Sequence, residues 1–365
     1  WANLNDFMAN LFITSLVVDP TNTNTMYAST GDGLSDPQLK VFRGAGIFKS
    51  TNGGNTWFQL PSTNNASFRY VTRLAHDPST ADKLFAVTSN SAVAGTVWQS
   101  LDGGTTWNSV LATLGRAMDI KIHPTVANKI MVGTSSNAYY SNDGGGTWDR
   151  ITDGSANQIP TITGSIFTRC EVAFARSNSS YAYVIIALGK SSGGSDSGAV
   201  WLTLDAGATW SLRKVDNSLG PWYRSNAIWV DPTNPNFLVF GGKNLWRSND
   251  TGKTFTQISN GNSYNHGWPA DEQHSAHVDH HMIVADIGYD GITNKKVYDV
   301  NDGGIQTTDD ITTAGINDWT NLANGLAITQ FYGGSAAPDG SIIIGGTQDT
   351  RIQRYRPGDG YDKWW

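Results

Sequence analysis

Short β-rich apolar runs recur along the whole chain in a fixed order, separated by polar turns. Ser15 to Thr30 read SLVVDPTNTNTMYAST and Ala227 to Gly242 read AIWVDPTNPNFLVFGG, in each case an apolar run, an Asp-Pro turn and a second run. Downstream a turn sequence returns as STNGGNTW from Ser50, SLDGGTTW from Ser100, SNDGGGTW from Ser141, TLDAGATW from Thr203 and SNDTGKTF from Ser248. Self-similarity at this spacing marks a repeat architecture. Each unit predicts four strands: A before the Asp-Pro turn, B after it, C ending at the Ser or Thr that opens the motif, and D beginning at its aromatic residue.

Two further units are degenerate. One runs from His281 to Leu322, with MIVADIGYD, VYDVNDGG and a stretched turn that reaches Asp318-Trp319; the other runs from Phe331 through IIIGGTQD to GDGYDKWW. Seven units fill the chain, so the predicted fold is all-β, a single seven-bladed β-propeller over residues 1–365 with four strands per blade. The blades fall at about 12–60, 68–110, 117–151, 169–213, 225–258, 280–322 and 330–365, the last taking in residues 1–5. WANL from Trp1 resembles the D strand WFQL from Trp57, and the N-terminal strand is therefore expected to close the ring and remove an open sheet edge.

A tight C-to-D turn needs residues that accept positive φ and a side chain that bonds local backbone donors, which Gly and Asp supply. Asp102, Asp143, Asp205 and Asp250 are accordingly read as structural rather than catalytic or calcium-binding. The S-x-D-x-G-x-T-W pattern resembles the Asp-box, or BNR repeat, of sialidases, sortilin-type receptors, photosystem assembly propellers and the glycoside hydrolase family 74 xyloglucanases. The likeness to secreted bacterial sortilin-like and xyloglucanase-like repeat proteins extends to the DPTN turns, HVDHH at His277, NGLAITQFYGG at Asn324 and GGTQD at Gly345. This resemblance implies an extracellular or cell-surface protein. It does not fix an activity, because one fold hosts many.

Composition narrows the partners. Charged residues make up 15% of the chain, against about 25% in an ordinary soluble protein. A net charge of −6 offers no basic field for a phosphate backbone, which argues against nucleic acid. No stretch approaches the ~18 apolar residues of a membrane span, so membrane insertion is not expected. The single Cys170 excludes an internal disulfide and a cysteine-built zinc site. An opening at Trp1, with neither Met nor a basic-then-apolar leader, reads as a processed or excised polypeptide.

In such a fold the D-to-A and B-to-C connections gather at one face, opposite the Asp-box turns. The connection over residues 260–280 is the longest and carries Tyr264, His266, Trp268, His274 and His277, while Trp222, Tyr223 and Arg224 precede unit five. A long loop of this kind is usually functional, and its aromatic rings suit sugar stacking or a protein partner. His277, Asp279 and His281 alternate, so an extended backbone would set them on one side, where they could hold a divalent cation. The alternative is a hydrogen-bonding network with loop backbone, and no cofactor is then required.

Arg73, Arg116, Arg169 and Arg224 each precede or open an A strand. Together they would make a positive rim for carboxylate or sulfate groups, or else tie their loops to neighbouring blades. The lack of a Phe-Arg-Ile-Pro signature disfavours a sialidase. Asp32, Asp302 and Asp349 follow B strands. Asp32, after Tyr27-Ala-Ser-Thr30 with Gly31 inserted, resembles the catalytic Asp of the family 74 enzymes, which follows a Tyr-Ala-Arg-Thr stretch. Glycoside hydrolysis needs a second carboxyl group; that family's partner Asp belongs to a second propeller, which leaves Asp32 with Asp349 as the pair within one ring.

Three functions follow from these expectations. The first is a non-enzymatic propeller whose loop face binds a glycan or an extracellular protein. The second is a polysaccharide-degrading enzyme, a xyloglucanase-like glycoside hydrolase or a lyase that uses His277. The third is a self-assembling subunit of an extracellular structure.

Overall fold

A computed structural model describes residues 12–31, 42–90, 93–162, 165–190, 197–217, 219, 226–261, 273–323, 326, 331–347, 352–356 and 358. These residues form seven antiparallel sheets in succession along the chain. Sheets one to five are four-stranded meanders, in which strands consecutive in sequence are hydrogen-bonded neighbours. Sheet one, for example, consists of Ile13–Val18, Met26–Thr30, Ile47–Ser50 and Phe58–Gln59. Sheets two to five begin with Val71–His76, Ala117–Ile122, Ser165–Phe174 and Ala227–Val230. In all five the Asp-box sequence joins the third strand to the fourth, as the repeat predicts.

Sheet six departs from the expected four strands. Gln273–His274 adds a fifth, paired beyond Trp319–Asn321. Sheet seven has three described strands, Phe331–Ala336, Ile343–Thr347 and Ile352–Tyr355. The proposed closing strand at residues 1–5 lies outside the described residues.

The chain divides into two compact units, Ala2–Phe240 with Arg247–Phe255, and Trp1 with Gly241–Trp246 and Thr256–Trp365. Sheets one to four fall in the larger unit and sheets six and seven in the smaller, with the residues of sheet five divided between them. In the larger unit the first strands of sheets one to five stand against one another in order. Facing sheets bury alternate residues between them. Tyr27, Ile47, Leu74 and Leu84 pack between sheets one and two, Phe85, Val97, Ile120 and Val132 between two and three, and Tyr140, Val172, Val184 and Trp201 between three and four. Each such aliphatic or phenyl side chain contributes about 1.5–3 kcal/mol on burial. Among the described residues no helix is long and apolar enough to cross a membrane.

Candidate functional site

The Asp-box turns spend their polar groups on their own backbone. In the copy at Ser141 the hydroxyl donates to Asp143 Oδ1 at 2.8 Å and accepts the Gly145 N–H at 2.9 Å. The same carboxylate accepts the Thr147 N–H at 2.9 Å and the Thr147 hydroxyl at 2.7 Å. Asp102, Asp205 and Asp250 repeat the pattern with Thr106, Thr209 and Thr254. The side-chain and backbone bonds from Thr106 hold the Asp102 carboxyl down at about 2. Trp148 Nε1 closes the turn onto the Gly145 carbonyl at 3.1 Å. Such a carboxylate is a turn fastener, and its hydrogen bonds resist the protonation an acid catalyst needs.

A cluster that sequence reading missed lies on the first strands of the larger unit. Arg73 Nε on sheet two stands 3.5 Å from Asp119 Oδ1 on sheet three, and Lys121 Nζ lies 2.7 Å from the same oxygen. On sheet four Arg169 reaches Glu171 Oε1 through Nε at 2.7 Å and Nη2 at 2.5 Å, and Nη2 also donates to the Asn226 carbonyl at 3.4 Å. Asp119, Arg169 and Glu171 are buried. Burial opposes the Asp119 carboxylate, but the charges of Lys121 and Arg73 prevail and hold it down at about 2. Glu171 goes the other way: burial, then the negative charge of Asp119, push its carboxyl up to about 7.

Of the two readings of the A-strand arginines, the rim and the tie between neighbouring sheets, Arg73 and Arg169 follow the second. Arg73 and Arg169 turn onto carboxylates and tie neighbouring sheets, because a guanidinium leaving water needs a paired anion. Arg116 is buried, with its backbone N–H and carbonyl bonded to Ser135 at 3.0 and 2.9 Å. Arg224, Trp222 and Tyr223 lie outside the described residues, as do Tyr264, His266, Trp268, Asp32 and Asp349.

In the smaller unit the histidine segment does not converge as the alternation predicted. Asp279 takes a left-handed conformation, φ 63°, so the chain bends between His277 and His281 instead of running extended. His277 bonds the Val278 carbonyl through Nδ1 at 2.9 Å, whereas His281 Nε2 meets Asp302 Oδ1 at 2.5 Å on a half-exposed surface. Among the described residues no group of three or more His, Cys, Asp or Glu is arranged to hold a metal ion. His274 sits on the added fifth strand, paired with Trp319.

The residue that enters the core is His280, which the alternation argument had passed over. Its Nδ1 lies 2.8 Å from Asp299 Oδ2, both side chains being fully buried, and Asn301 Nδ2 donates to that oxygen at 2.7 Å. Gln306 Oε1 accepts from Asn301 and from the His277 N–H. Asp299 and Asn301 stand two apart on one strand with Gln306 opposite Asp299, so the pleat gathers them on one face. The sequence signal was this same two-residue spacing, in Asp299-x-Asn301 and, in the larger unit, Asp119-x-Lys121 and Arg169-x-Glu171.

Known proteins resemble the chain in parts. The sortilin family described as "Sortilin, neurotensin receptor 3" matches residues 45–159. A xyloglucanase of Hypocrea jecorina (strain QM6a) is 28% identical over 147 residues, 38% of this chain and 17% of that enzyme. The solved glycoside hydrolase family 74 enzyme of Niastella koreensis superimposes with a TM-score of 0.63 at 23% identity, covering 94% of this chain and 51% of that one. The family 74 xyloglucanase of Xanthomonas campestris gives 0.61 at 19% identity, covering 94% and 52%. At these identities the superpositions show the fold, and the chain spans about half the length of either enzyme. Its repeated turns, its meander sheets and these likenesses agree: the chain is an Asp-box β-repeat protein that resembles the sortilin-type and glycoside hydrolase family 74 proteins.

Proposed function

We propose that this chain is a polysaccharide-degrading unit, a glycoside hydrolase of xyloglucanase type working outside the cell. The observation that supports this most directly is the sequence likeness to a xyloglucanase over 147 residues. It favours the enzymatic reading over the purely binding one.

The described carboxyl groups narrow where the chemistry would sit. A glycosidase needs two carboxyls about 5–5.5 Å apart for retention or about 6.5–9.5 Å for inversion, open to the sugar. Asp119 and Glu171 are withdrawn from solvent and paired with Arg73, Lys121 and Arg169, so they do not serve. The Asp-box carboxylates are committed to their turns. Asp32 remains the candidate acid or base, with Asp349 as its partner within the chain, or a carboxyl of a second propeller as the resemblance implies.

The test is a reducing-end assay on xyloglucan and other plant polysaccharides with the chain and its Asp32→Asn and Asp349→Asn variants. New ends are expected, with a loss of about a hundredfold or more in Asp32→Asn. Saccharide binding without new ends would replace hydrolysis with the glycan-binding reading.

A further inference from the structure

A cleft of about 310 Å³ opens in the larger unit between the loop that follows Met26–Thr30 and the segment that joins sheets one and two. Arg43, Arg69, Asn64, Asn65 and the Gly44–Gly46 backbone line it, and no acidic side chain does among the described residues. In a chain of net charge −6, the described wall of this cleft thus carries two arginines and no carboxylate.

The floor is rigid. The Gly44 N–H donates to the Arg69 carbonyl at 2.8 Å, the Ala45 N–H to Thr30 Oγ1 at 2.8 Å, and that hydroxyl in turn to the Gly46 carbonyl at 2.7 Å. A Cβ at Gly44 would meet the Thr30 carbonyl oxygen at 2.3 Å, so only glycine lets the loop lie this close. Asn65 is held by the Ser67 N–H at 2.9 Å and the Ser62 carbonyl at 2.8 Å. The Arg69 guanidinium and the Asn64 amide, by contrast, are exposed and make no hydrogen bond or ion pair among the described residues. A fixed backbone thus presents a planar fork of donors and an amide to solvent, the donor set that suits a carboxylate or sulfate oxygen pair.

The cleft also adjoins the candidate catalytic position in sequence. A Cβ at Gly31 would meet the Arg69 carbonyl oxygen at 2.3 Å and Gly44 N at 2.7 Å, so Gly31 forms part of the same packed floor, and Asp32 is the next residue. The volume lies at the small end of ligand sites, room for a single sugar unit.

We infer that this cleft is a subsite for an acidic saccharide unit, a uronate or a sulfate ester, gripped by Arg69 with Arg43 and Asn64 beside it. The inference rests on the polysaccharide-active reading and adds a charge preference to it.

Titration calorimetry on the whole chain tests it with four probes: a uronic-acid oligosaccharide, its methyl ester, a sulfated galactose oligosaccharide and a neutral glucan oligosaccharide. One acidic probe is expected to bind about tenfold or more tighter than its neutral counterpart, the gain of a charge-assisted hydrogen bond. Which of the two binds assigns carboxylate or sulfate. The preference should collapse in Arg69→Ala, weaken in Arg69→Lys, and fall with added salt, while the circular dichroism of the variants stays that of the parent because Arg69 is a surface side chain. Equal binding of acid and ester, or a preference that survives Arg69→Ala, overturns the inference. Cleavage of the neutral glucan alongside that result leaves the proposed function standing; failure of every saccharide to bind or be cleaved removes both.

Discussion

Arg73 on the first strand of sheet two and Asp119 on the first strand of sheet three stand 3.5 Å apart, so two sheets of the larger unit are joined through a carboxylate that has left water. Glu171 on sheet four feels the negative charge of that carboxylate as well as its own burial. A network of this kind titrates with folding. Glu171 is raised from 4.5 to about 7, so its contribution is fully present below 4.5 and is lost as the pH rises through about 7. Asp119 is lowered from 3.8 to about 2, so its contribution is present above 3.8 and is lost as the pH falls through about 2.

Urea midpoints measured across this range should therefore be highest in mildly acidic buffer and fall towards neutrality, and Glu171→Gln should flatten the fall. Asp119→Asn leaves Lys121 and Arg73 beside an uncharged amide and should cost about 3–5 kcal/mol, the loss seen when one partner of a buried ionic group is removed. A midpoint that rises steadily from acid to neutral pH in the parent would refute the raised Glu171 carboxyl.

The Asp-box gives a second test, because its two polar side chains differ in burial. Ser141 is buried and its hydroxyl is the acceptor for the Gly145 N–H. Ser141→Ala leaves that N–H without its partner and should cost about 1–3 kcal/mol. Asp143 is exposed, so water replaces much of what Asp143→Ala removes and the loss should be smaller than for Ser141→Ala. Gly145→Ala should destabilise as well: its φ is 94° and a Cβ there would meet the Phe85 ring at 2.9 Å. Thermal melts of the three variants give the order directly.

What the sequence made legible and what it hid follow from the same physics. The Asp-box turns show because five nearly identical copies carry residues chosen for backbone geometry, and geometry is local. Strand order follows from them. The ionic cluster hid because each strand supplies one or two charges to it, and the partners lie some fifty residues apart in sequence: Arg73, Asp119 and Glu171 come from three different repeats. The histidine segment misled for a related reason. Alternation puts residues on one side only if the backbone stays extended, and Asp279 at φ 63° breaks it, sending His280 inward instead of its neighbours.

His280 and His281 are adjacent yet should respond differently to removal. His280 lies wholly buried against Asp299, and His280→Ala would leave that buried carboxylate with Asn301 as its one remaining partner among the described residues, on Oδ2, as well as opening space beside Gly241. A loss of about 2 kcal/mol or more is expected from the unsatisfied buried group together with the cavity. His281→Ala breaks an ion pair whose two side chains are 41% and 32% exposed, which is worth about 0–1 kcal/mol. Equal losses in urea titrations of the two variants would contradict the buried assignment of His280.

Cys170 provides a native reporter for the larger unit. It is the single cysteine, fully buried in the core between sheets three and four, and burial followed by the charge of Glu171 pushes its thiol well up from the usual range. Since the thiolate is the reactive form, an aromatic disulfide reagent should leave the folded protein unlabelled and react fully once it is denatured. Labelling in native buffer can then proceed only through opening of sheet three from sheet four, and its rate measures that opening. Gly133→Ala should accelerate it, because a Cβ there would meet the Cys170 carbonyl oxygen at 2.0 Å and force the first strand of sheet four away. Prompt stoichiometric labelling of the parent protein would show that the strand is not packed as described, and the ionic cluster that begins at the next residue, Glu171, would lose its burial with it.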